Sequence, residues 1–208
     1  MKKAILFDLD GTLWDSSREV AISWSMALEP YGIKITHADV QSVMGKTLDE
    51  IAGIVLPDKS DEERRRILAA CSDCELDYLR QNGASPFPGL EETLEALSRD
   101  YALCIVSNCQ EGYIETFLNY YSLEKYFVDT ENAGRTGRPK GENIRLVAER
   151  NGFDAVLYVG DTQKDCDAAG FAGVPFLHAA YGFGTIDHEV PRLEALSDLP
   201  VLVKQLFP

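Results

Sequence analysis

Lys3-Ala4-Ile5-Leu6-Phe7-Asp8-Leu9-Asp10-Gly11-Thr12 is the stretch on which the reading of the fold turns. Its first half is almost entirely apolar and does not alternate. A short run of that kind suits a strand covered on both faces, as in a parallel sheet with helices above and below. In open α/β sheets ligands bind beyond the carboxyl ends of the strands, so the two acids that follow stand where a ligand would sit. Asp8 and Asp10 are two residues apart, which puts them on one side of an extended backbone, and Gly11 permits a sharp turn after them. Two carboxylates in one small space repel, and one takes up a proton unless a cation joins them.

Working outward, Ala102–Val106, Val156–Val159 and Val174–Leu177 repeat the apolar pattern. The second run ends in Ser107-Asn108 and the third in Gly160-Asp161, with Asp165 four residues on. Between the runs lie helical spacings: Leu90, Leu94 and Leu97 after Pro88-Gly89, and Ile144, Val147 and Ala148 ending near Gly152. Strands alternating with helices predict an α/β fold, a Rossmann-like doubly wound parallel sheet with right-handed crossovers. Asp161 arrives from a separate strand as a further hard oxygen ligand, a donor set that suits magnesium.

Residues 15–84 break this rhythm. They are too many for one crossover and read as several helices with no convincing strand, which predicts a helical domain inserted into a core made of residues 1–14 and 85–208. Ser16 and Glu19 have the spacing of a capping box, and Val20, Trp24, Ala27, Leu28 and Tyr31 trace one helical face. Asp61-Glu62-Glu63 opens a second long helix, and Gly83 to Gly89, with two prolines, forms the return hinge. Cys71 and Cys74 continue the apolar spacing from Ile67 to Tyr78, so their CxxC reads as helix packing.

The formal net charge of −14 repels polyanions, and no Lys/Arg run offers a nucleic-acid or anionic-membrane stripe. No apolar stretch reaches the roughly 20 residues of a membrane span. Five cysteines, an odd number, read as reduced thiols, and a basic start followed by acids is unlike a signal peptide, which together predict a cytoplasmic protein.

Asp8-Leu9-Asp10-Gly11-Thr12, Ser107-Asn108, a lysine near position 140 and Gly160-Asp161-Thr162-Gln163-Lys164-Asp165 resemble the four motifs of the haloacid dehalogenase-like superfamily. The similarity spans essentially the whole chain, and the helical insertion after the first motif resembles the branch that includes phosphoglycolate phosphatase and beta-phosphoglucomutase. The resemblance implies that Asp8 is the nucleophile and a metal ligand, and that Asp10 is the acid and base whose carbonyl also reaches magnesium. It implies that Thr12, Ser107, Asn108 and a lysine hold the phosphoryl group, and that Asp161 and Asp165 position the metal directly or through water. Dehalogenases of the superfamily lack the second acid, so carbon-halogen cleavage is disfavoured.

Two positions depart from the family pattern or leave alternatives. The lysine motif reads Gly137-Arg138-Pro139-Lys140, so either Arg138 or Lys140 is the phosphate-binding cation; Lys140 is favoured because it stands directly before a helix. Where mutases of the branch carry a histidine in the first inserted helix this chain has Val20, which favours hydrolysis. Gly45-Lys46-Thr47 lies in a loop of the insertion, where Lys46 could meet a substrate anion; His178 could line the pocket, whereas His37 and His188 have no supporting context. The expected function is magnesium-dependent hydrolysis of a small phosphorylated metabolite. The alternatives are a sugar-phosphate or nucleotide phosphatase, a pyrophosphatase, or a non-catalytic phospho-ligand binder, with oligomeric state left open.

Overall fold

A computed structural model describes residues 1–206. Strand β1 (Lys3–Phe7) leads through a two-residue strand, β2 (Trp14–Asp15), into four helices, α1 (Ser17–Leu28), α2 (His37–Val43), α3 (Leu48–Val55) and α4 (Asp61–Asn82). The chain returns through β3 (Ser85–Pro86) and continues as α5 (Leu90–Ser98), β4 (Ala102–Ser107), α6 (Tyr113–Tyr121), β5 (Phe127–Asn132) and α7 (Ala133–Thr136). It ends with α8 (Lys140–Asn151), β6 (Ala155–Gly160), α9 (Gln163–Ala172), β7 (Phe176–Ala179), β8 (Arg192–Leu193) and α10 (Leu199–Leu206).

Six strands form one parallel sheet in the order β5-β4-β1-β6-β7-β8, with β1 between β4 and β6. The unalternating runs are explained by what lies on each face. Ile5, Phe7, Leu103, Ile105, Leu157 and Val159 join a cluster with residues of α5, α6 and α10, whereas Ala4, Leu6, Cys104, Val106, Val156 and Tyr158 join another with residues of α8 and α9. Successive side chains of a strand point to opposite faces, and here both faces are dry. The fold is therefore the expected doubly wound α/β type. The fourth strand begins at Phe176, later than the expected Val174, because Pro175 precedes it.

Helices α1 to α4 enclose their own apolar cluster, including Val20, Trp24, Leu28, Val40, Ile51, Ile67 and Cys71. The insertion is not joined by a bare hinge, since β2 and β3 pair antiparallel with Trp14 opposite Pro86. The buried stripe of α4 runs through Ile67, Leu68, Cys71, Glu75 and Leu79, so Cys71 packs as expected while Cys74 and Tyr78 lie only partly buried. All five cysteines are free. The expected Ser16–Glu19 box does not form, because the Ser16 hydroxyl donates to Asp10 instead, at 2.6 Å. Capping boxes close α2, α3, α4 and α9, and no described helix is long and apolar enough to cross a membrane.

Candidate active site

The carboxyl ends of β1, β4 and β6 and the first turns of α8 and α9 converge on one spot. Asp8 follows β1, with its N–H donating to the Val159 carbonyl at 2.8 Å, which ties it to the neighbouring strand. Lys140, the first residue of α8, is buried, with its Nζ 2.9 Å from Asp8 Oδ1 and 2.5 Å from Asp165 Oδ1. A cation at the positive end of a helix is poorly placed by the dipole alone, so these two carboxylates hold it there. They also raise its pKa against the opposing effect of burial. Arg138 is exposed, and of the two candidate cations only Lys140 reaches Asp8.

Asp165 is fixed by the cap of α9: its Oδ2 accepts from the Thr162 N–H at 2.9 Å and from the Thr162 hydroxyl at 2.6 Å. Burial works against its charge, but Lys140 and Thr162 prevail and hold its pKa below the usual carboxylate range. Asp161 behaves oppositely. Burial, with Asp165 and Asp8 nearby, pushes it well up. One oxygen accepts from the Phe183 N–H at 2.8 Å, while the other is buried with no hydrogen-bond partner. An orphaned carboxylate oxygen beside two further acids, with one oxygen of each of Asp8, Asp161 and Asp165 mutually within 4.8 Å, is a set of hard donors that fits a divalent cation such as magnesium.

Backbone geometry makes room for this cluster at two glycines. Gly11 has φ +78°, and a Cβ on it would stand 2.2 Å from Asp161 Oδ2. A Cβ on Gly182 would stand 2.3 Å from the Gly11 carbonyl, because the loop after β7 closes over the turn. That loop went unread in the sequence. It supplies the Phe183 N–H to Asp161 and the Tyr181 hydroxyl, which donates to the Thr12 carbonyl at 2.8 Å.

Asp10 is half-buried and is not among the three acids of the cation cluster. Its Oδ1 accepts from the Ser16 hydroxyl at 2.6 Å and from the Tyr113 hydroxyl at 2.9 Å. Burial raises its pKa to about 7 despite those donors, and the Asp8 charge adds to the rise. Asp8 itself is pushed up to about 6 by burial and by Asp165, against the pull of Lys140. Burial thus favours a proton on Asp10 near neutral pH, beside a carboxylate held by a lysine.

Asp8, Asp10, Ser107, Asn108 and Lys46 line one cavity of about 50 Å³ between the sheet and the insertion. Asn108 reaches the insertion directly, donating to the Gly45 carbonyl at 3.0 Å. Ser107 is buried, and its side chain holds the Asp8 pKa down in part. The remaining wall comes from α1, α2, α3, α4 and α6 and from the loops after α2 and β4, and includes Trp24, Glu75 and Tyr113, none of which the strand-end reading had picked out. Thr12 is fully buried under the turn, its hydroxyl without a partner, and it does not line this cavity. His178 is buried against the Asp161 carbonyl at 3.1 Å, and so packs behind Asp161.

The model of the haloacid dehalogenase-like hydrolases matches residues 5–179. A phosphoglycolate phosphatase of Aquifex aeolicus is 30% identical over 97% of this chain and 96% of its own. The phosphoglycolate phosphatase of Escherichia coli K12 is 29% identical, covering 95% of this chain and 90% of its own. A solved haloacid dehalogenase-like hydrolase of Streptococcus pneumoniae superposes with a TM-score of 0.79 over 100% of this chain and 99% of its own, at 21% identity, a likeness of fold. With the strand-end acids, the buried lysine and the inserted helices in place, these matches establish that the chain belongs to the haloacid dehalogenase-like hydrolases.

Proposed function

We propose that the chain is a magnesium-dependent phosphohydrolase of the phosphoglycolate phosphatase type, acting on a small phosphomonoester through a phosphoryl group carried on Asp8. Residues 15–84 act as a cap over the core of residues 1–14 and 85–208. The observation that carries the reading is the pairing of Asp8 and Asp10 in one cavity, with Asp8 held by Lys140 and Asp10 pushed up to about 7.

Asp8 attacks phosphorus, so that a bond from its carboxylate forms as the bond to the leaving oxygen breaks, and Asp10 donates its proton to that oxygen. Asp10, now ionised, takes a proton from water, whose oxygen attacks phosphorus and returns Asp8 as a free carboxylate. Lys140, Ser107 and the Asn108 N–H bear on the phosphoryl oxygens, Thr12 is retained as a phosphate-side residue of the motif, and Lys46 meets the far end of the substrate. Asp8, the Asp10 carbonyl and Asp161 would hold magnesium, with Asp165 acting through Lys140 or a water. Bound there, the ion neutralises charge on the carboxylates and phosphoryl oxygens.

The acidic chain with its free thiols supports a cytoplasmic setting. The test is phosphate release from 2-phosphoglycolate, sugar phosphates, nucleoside monophosphates and pyrophosphate, with magnesium and with chelator, beside Asp8→Asn. Magnesium-dependent release that vanishes in Asp8→Asn is expected; phosphate binding without turnover in wild type would favour the binder alternative.

A further inference from the structure

The wall of the cavity opposite the strand ends is built mainly of apolar side chains from α1, α2 and α3, among them Val20, Val43 and Ile51. One carboxyl interrupts it. Glu75 of α4 is 4% exposed and lies on the otherwise apolar buried stripe of its helix. Its Oε1 accepts from Gln110 Nε2 at 2.9 Å, and its Oε2 accepts from the Trp24 indole N–H. Both donors are neutral. An apolar residue would close this stripe without burying a carboxyl, whose burial is unfavourable unless its acceptor positions are filled. A carboxylate offers about four such positions, and the two N–H groups fill two.

Glu75 lines the same cavity as Asp10, the group that serves the leaving oxygen, so a leaving group seated there lies against both. We propose that Glu75 selects the substrate: its free acceptor positions take a hydrogen bond from a hydroxyl or ammonium group on the leaving group, so that small hydroxyalkyl and aminoalkyl phosphomonoesters are preferred over esters with no such donor. The inference rests on the phosphatase reading and narrows its substrate. The glycolate of 2-phosphoglycolate offers no donor beyond the ester oxygen and falls outside the preferred class. Lys46 lines the same cavity, so an anion carried in addition to the donor is tolerated.

The experiment measures kcat/KM with magnesium at pH 8, above the range in which Glu75 holds a proton, for two matched pairs, glycerol 3-phosphate against n-propyl phosphate and phosphoethanolamine against ethyl phosphate. Asp8→Asn serves as the control for the phosphatase reading. The donor-bearing member of each pair is expected to lead by roughly 10–100-fold. In Glu75→Leu both advantages collapse to within about threefold, and in Glu75→Gln the ammonium ester loses more of its lead than the hydroxyl ester, because the charge is gone. Equal values within both wild-type pairs, or a lead undiminished in folded Glu75→Leu, would overturn the inference while Asp8-dependent release leaves the phosphatase reading standing. No release from any ester would overturn that reading and the inference with it.

Discussion

Replacing Lys140 with alanine removes the side chain that joins Asp8 to Asp165. Both acids are almost wholly buried, at 1% and 0% side-chain exposure, with the lysine at 3%. Deleting one partner of a buried ion cluster leaves charge uncompensated and typically costs about 3–5 kcal/mol. In a chain of this size that corresponds to a fall in Tm of roughly 6–20 °C. The loss has a pH signature. The stranded acids can shed charge by taking up protons, so the deficit is smaller near pH 5 than near pH 8. Urea unfolding in chelator, followed by circular dichroism at both pH values, measures it. Arg138→Ala, at an exposed position, is expected to stay within about 0.5 kcal/mol of wild type. A Lys140→Ala deficit under about 1 kcal/mol, or a larger one for Arg138→Ala, would refute the argument and move the phosphate-side cation to Arg138.

Gly11→Ala places a Cβ 2.2 Å from Asp161 Oδ2 in a backbone conformation that side chains rarely adopt, so thermal stabilisation by magnesium should largely disappear in that variant; an unchanged magnesium-induced shift in Tm would count against this cation site. Burial raises Glu75 to about 7 from 4.5, so between those values the folded chain holds a proton that the unfolded chain has lost, and stability falls as pH rises through the window. That rise corresponds to about 3 kcal/mol, so Glu75→Gln should flatten the decline between pH 5 and pH 8 by about that amount in urea titrations. Asp8 is raised as well, to about 6, and Asp161 is pushed well up, so magnesium should raise Tm more near pH 8 than near pH 5, where protons compete for the same carboxylates; an equal rise at both would argue against binding at these acids.

Strands β1, β4 and β6 were legible because each is dry on both faces and its composition says so. Strand β5 was not, since Asp129, Thr130 and Glu131 give this edge strand a polar middle, with Arg150 pairing Asp129 and Glu131 from outside. Strands β2, β3 and β8 have two residues each, too few to show a period. Ser16 was misread because its hydroxyl had two possible partners, the first turn of α1 or Asp10, and only the tertiary approach of Asp10 and Tyr113 decides between them. The strand-end side of the candidate site could be read because Asp8, Asp10, Ser107, Asn108 and Asp161 stand at or just past strand ends, where an α/β sheet puts its ligands. The selecting side could not, because Trp24, Glu75 and Gln110 meet across 51 and 35 residues of sequence. One local signal was available: Glu75 stands on the stripe set by Ile67, Leu68, Cys71 and Leu79, where an apolar residue is expected.

The central claim is that phosphorus is transferred to Asp8. Acid quenching during steady-state turnover with magnesium, followed by mass spectrometry of the peptide that carries Asp8 and Asp10, tests it most directly. Phosphate on Asp8, absent in Asp8→Asn and accumulating when Asp10→Asn slows the attack of water, is the predicted result. Turnover in Asp8→Asn near the wild-type rate, or a phosphoryl group found on another residue, would contradict it.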